Sequence, residues 1–101
     1  MFLARAAPDR LGVRPLDPDR VLAWVGGAVA AKRRSFGLTQ EELAERLSVS
    51  VKYLQRVEAG AENLTLRSLV SLANGLSMPL GSLVQRPRNA ITRRPGRPKK
   101  R

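Results

Sequence analysis

Lys52, Gln55 and Arg56 are spaced so that a helix carries all three on one side, with Val51 beside them. Such a face suits a surface rich in acceptors and negative charge. The arginine fork offers five donors in a plane and matches the paired O6 and N7 acceptors of guanine or a phosphate. The glutamine and lysine add donors suited to base edges and phosphates, and an apolar valine can meet a thymine methyl. The bland alternative is a set of solvated surface cations, the usual fate of Lys and Arg. Only a framework that fixes and presents the face favours the first over the second.

Other chemistry is excluded by what the 101-residue chain lacks. It has no cysteine and no histidine, which removes disulfides, thiolate nucleophiles, the commonest metal ligand and the commonest general base. Zinc fingers and Ser-His or Cys-His catalysis fall away. The expectation is a chain that is not an enzyme and uses no cofactor or metal. Nineteen Lys+Arg against eight Asp+Glu give a net charge of +11, a field that attracts polyanions. No apolar run is long enough to span a bilayer and residues 1–7 are too short for a secretory signal, so a cytoplasmic, nucleoid-associated location without a membrane partner is expected.

The elements that must position the face are legible from caps and periodicity. Leu22, Val25 and Val29 recur at helical spacing and a Lys32, Arg33, Arg34 cluster follows, predicting a first helix over residues 19–34. Gly26 and Gly27 inside it should each cost roughly 1 kcal/mol, so tertiary packing or a kink is expected there. Trp24 falls at the solvent margin of this stripe and reads as a packing residue. Thr39 and Glu42 form a capping box for a second helix over 40–47. Ser50 caps a third over 51–58, which ends at Gly60. Thr65 opens a fourth with Leu66, Leu69, Leu72, Ala73 and Leu76 on one side, and Pro79 suits the first turn of a short fifth that presents Leu80 and Leu83.

The second and third helices, joined by a three-residue turn, need a small contact between apolar flanks. Leu43, Ala44, Leu47, Val49, Leu54 and Val57 supply it, with Ala44 at the crossing. Because Leu54 and Val57 point inward, Val51, Lys52, Gln55 and Arg56 must point outward. Residues 1–18, with three prolines, read as a flexible arm. Residues 86–101 carry eight cations and no acid and read as a disordered basic tail, leaving +3 for residues 1–85. The domain is therefore expected over 19–85.

The segment LTQEELAERLSVSVKYLQRVEAG, residues 38–60, resembles the phage-repressor/Cro-like (XRE-type) helix-turn-helix family, and the resemblance extends from about Val29 to Val84. It implies an all-α, compact five-helix, lambda-repressor-like domain. The third helix would enter the major groove of double-stranded DNA, usually in a two-fold homodimer on a palindromic operator. By position in the family, Gln40 braces a phosphate and the recognition helix. Val51, Lys52 and Arg56 read bases, Ser50, Tyr53 and Gln55 make neighbouring base or backbone contacts, and Arg33 and Glu58 form a structural ion pair. The family's usual turn glycine is Ser48 here, which would have to adopt a left-handed backbone at some cost. The fifth helix, through Leu80 and Leu83, is the expected dimer interface.

In the tail, Arg94 to Lys100 resembles an AT-hook, in which a flat Gly-Arg-Pro core threads a narrow A·T-rich minor groove. Pro95 separates Arg94 from Gly96 and leaves Arg97 as the only core arginine in register. The alternative is a nonspecific phosphate grip by Arg94, Arg97, Lys99 and Lys100. The leading expectation for the whole chain is a sequence-specific transcriptional regulator of the repressing kind. An antitoxin-type autoregulator with a toxin partner and a protein-interaction adaptor are the alternatives.

Overall fold

Residues 15–87 are described by the computed structural model: five helices and, among the described residues, no strand. The expectations for residues 1–14 and 88–101, including Arg94, Arg97, Lys99 and Lys100, lie outside them. Helix α1 spans Pro18–Ser35, one residue earlier than the periodicity predicts. The Asp17 side chain accepts the Asp19 amide at 3.0 Å, and Pro18 fits the first turn because its fixed φ is helical and its missing N–H is not needed there.

Helix α2 spans Gln40–Leu47 and α3 spans Val51–Glu58. The capping box is formed, with the Thr39 amide donating to Glu42 Oε1 at 2.8 Å and the Glu42 amide to Thr39 Oγ1 at 3.1 Å. Ser50 accepts the Tyr53 amide at 3.0 Å. Between the two helices Ser48 has φ 60° and ψ 42°, the left-handed conformation expected of it. The Val49 amide closes the turn on Ala44 O at 2.9 Å, which satisfies a carbonyl that the helix end leaves open.

Helix α4 spans Leu66–Gly75, capped by Thr65, and α5 spans Leu80–Val84. Pro79 stands just before α5 rather than in its first turn, because its ψ of 145° is extended. Helix α1 packs against α3 and α5, α2 against α3 and α4, and α4 against α5. The core is Val25, Val29, Leu43, Ala44, Leu54, Val57, Leu72, Ala73, Leu76 and Leu83.

Two apolar assignments change. Leu66 opens α4 and is 67% exposed, because the packed part of α4 begins one turn later. Leu83, expected at a dimer interface, is fully buried. A one-turn helix wedged against α1 and α4 has one side to give, and the core takes it. Leu83 is thus unavailable to a second copy, while Leu80 remains partly exposed. Trp24 is half-buried, with the Arg86 guanidinium 5.5 Å from its ring centroid, a cation–π contact where the chain leaves α5.

Candidate nucleic-acid interface

Helix α3 presents its outer face because its inner face is committed. Leu54 and Val57 are 0% and 1% exposed, which turns Lys52, Gln55 and Arg56 to solvent and leaves Val51 and Tyr53 half-buried. Three of the four expected outward residues, Lys52, Gln55 and Arg56, share one exposed face, whereas Val51 is half-buried and packs against the core. Ser50 is exposed at the helix start, where its hydroxyl serves as the cap. Tyr53 lines an open cleft with Leu47, Val49, Arg67 and Ser68.

The helix is braced from behind by a hydrogen-bonded chain across three elements. Arg33 of α1 reaches Glu58 at the end of α3 with Nε donating to Oε2 at 2.8 Å and Nη2 to Oε1 at 3.1 Å, and its Nη1 donates to Leu38 O at 3.0 Å. The hydrogen bond from Glu58, aided by its charge, raises the Arg33 pKa above the ordinary arginine value against the opposing effect of burial. Gln40 joins the same carboxylate, Nε2 to Glu58 Oε1 at 2.9 Å. Its Oε1 is thereby turned toward Gln55, whose Nε2 lies 3.5 Å away, a long contact by hydrogen-bond standards. The expected Arg33–Glu58 pair is therefore present, and Gln40 links it to the outer face.

Close backbone approach sets the position of α3 on α1. An ideal Cβ on Gly26 would lie 2.5 Å from Val57 O and 2.6 Å from Glu58 O, whereas Gly27 has nothing within 4 Å of its own. The two neighbouring glycines thus differ in kind, which their shared cost in a helix did not show.

Two residues at this face carry almost no signal in the sequence. Glu62 accepts from Arg56 Nε at 2.7 Å; the only hint is a lone acid in the stretch after Gly60. Arg67 stands exposed in the first turn of α4 beside the Tyr53 cleft, and its only hint is a cation near the Thr65 cap. Among the described residues no His, Cys, Asp or Glu cluster could hold a metal ion, and no helix is long and apolar enough to cross a membrane.

A helix-turn-helix family model matches residues 29–83, from the middle of α1 through α5. The chain belongs to the phage-repressor/Cro-like helix-turn-helix family. Within the matched segment, α2 and α3 are the two helices of the motif. The chain is 42% identical over 60 residues to an HTH-type transcriptional regulator of Sinorhizobium fredii, a match covering 59% of this chain and 78% of the relative. It is similar to the restriction-modification controller protein C.AhdI of Aeromonas hydrophila, with TM-score 0.56 and 31% identity over 61% of this chain and 94% of the other. A hypothetical transcription factor of Neisseria shares the fold at TM-score 0.65 and 23% identity, covering 78% of this chain and 91% of that one.

Proposed function

We propose that this helix-turn-helix chain binds double-stranded DNA sequence-specifically and regulates transcription, acting as a repressor by occupying its operator. The observation that carries this reading is the outer face of α3, where Lys52, Gln55 and Arg56 stand exposed on a helix anchored from behind through Gln40, Glu58 and Arg33. Val51 meets a thymine methyl, Arg56 and Lys52 read base edges, and Ser50 and Tyr53 contact the adjoining backbone. The unit that does this is residues 19–85, working on nucleoid DNA.

One eight-residue helix covers too few base pairs for useful specificity, so binding is as a homodimer on a palindrome with half-sites about one helical turn apart. The cations of residues 86–101 add affinity through phosphates or an A·T-rich minor groove. Selection of bound sequences from a random duplex pool tests the proposal. Enrichment of a two-fold symmetric site is expected. Recovery of no preferred sequence, with weak and salt-insensitive binding, would favour a protein-interaction role.

A further inference from the structure

The loop after α3 places an acid against the arginine that the proposed function assigns to base reading. The Ala61 amide donates back to Arg56 O at 2.8 Å, folding the chain onto the last turn of α3. Glu62 thereby comes to rest beside the Arg56 side chain, with Oε1 2.7 Å from Nε. The carboxylate is the more sheltered partner, 25% exposed against 55% for the arginine.

We infer that Glu62 is a positioning residue for DNA reading: it holds Arg56 by Nε and sets the guanidinium with its two terminal nitrogens outward, toward a guanine edge. The inference rests on the assignment of Arg56 as a base reader. Among the described residues neither terminal nitrogen of Arg56 donates a hydrogen bond to the protein, and guanine presents two acceptors, O6 and N7, that match this free edge. A long, exposed arginine otherwise samples many rotamers, most of them aimed at phosphates or solvent. Held by Nε, it loses less freedom on meeting the correct base.

The same carboxylate acts against the wrong sequence. Where no guanine stands opposite, Arg56 stays paired with Glu62 and attracts phosphate weakly, while the acid itself repels the backbone. Glu62 therefore raises discrimination from both sides, while lowering affinity for arbitrary duplexes.

The test uses the full chain, the duplex recovered by selection and a scrambled duplex of equal length and composition. Dissociation constants are measured over a salt series for the wild type, Glu62→Gln, Arg56→Ala and the double variant, with thermal melts to confirm folding. Glu62→Gln is expected to tighten scrambled-duplex binding and to lower the preference for the selected site about two- to fivefold, the range of an exposed ion pair. Freed to grip a phosphate, Arg56 should steepen the scrambled-duplex slope of log K against log salt by about 0.9. In the Arg56→Ala background Glu62→Gln should leave the preference unchanged, an outcome that a merely structural Glu62 would not give. An equal change on both duplexes, or a loss of preference that persists without Arg56, overturns the inference. If Arg56→Ala removes the preference and Glu62→Gln leaves it intact, base reading stands and the role of Glu62 fails alone. If Arg56→Ala itself changes nothing, both fail.

Discussion

Gly26 of α1 approaches the backbone at Val57 of α3 so closely that a methyl group at residue 26 would sit 2.5 Å from the Val57 carbonyl oxygen. No side-chain rearrangement relieves such a contact, because the obstacle is backbone. The seat of α3 on α1 is thus set by the absence of one carbon atom. Gly26→Ala should destabilise the fold by about 3 kcal/mol, as an overpacked core position. Gly27→Ala, one residue on, fills open space and should stabilise by roughly 0.5–1 kcal/mol through helix propensity. Urea midpoints of the two variants check the contrast; equal shifts would mean that α1 and α3 do not approach as described.

Glu58 receives Arg33 and Gln40 together, and its side chain is only 7% exposed. Glu58→Gln leaves a part-buried guanidinium without its counter-charge and should cost about 2–4 kcal/mol, while also loosening Gln40 and hence Gln55. Replacing both Arg33 and Glu58 by apolar residues should cost less than the single change. A thermodynamic double-variant cycle by urea unfolding measures this. A raised Arg33 pKa adds stability that is present below the unfolded value and lost only as pH climbs through the still higher folded one. Titration of Arg33 therefore gives no slope of stability at neutral or mildly alkaline pH.

Arg56→Ala should cost about 1–3 kcal/mol on the selected duplex, and much less on a scrambled one, with folding unaffected because the side chain is exposed. Lys52→Ala should behave in the same way if the lysine reads a base, and weaken both duplexes equally if it grips a phosphate. Paired titrations at one salt concentration separate the two cases.

Truncation after Pro87 keeps Arg86 on Trp24 and removes seven of the eight cations of the tail. The remaining protein should melt at nearly the same temperature. It should bind every duplex less tightly, with the salt slope reduced by about 0.9 for each phosphate no longer neutralised. Selected-site preference should persist; its collapse would mark the tail as a sequence reader through Arg97.

The local rules of the chain determined most of this architecture. Thr39, Ser50 and Thr65 announce three helix starts because a side-chain oxygen two or three residues ahead of free amides acts locally, and all three caps form. The inward turn of Leu54 and Val57 follows from helical periodicity, and with it the outward face of α3. The turn at Ser48 and the Arg33–Glu58 pair were legible only through the family resemblance. Apart from that pair, contacts between elements were decided by the tertiary structure alone. Periodicity cannot tell Gly26 from Gly27, since the difference is which of them α3 meets. Nor can it assign Leu83 to the core, because a one-turn helix has too few residues to define a face until α1 and α4 close on it. The Arg56–Glu62 pair depends on how the chain folds back after Gly60, where φ is 74°. Backbone geometry beyond a helix end is set by what the loop packs against, and no spacing rule carries it.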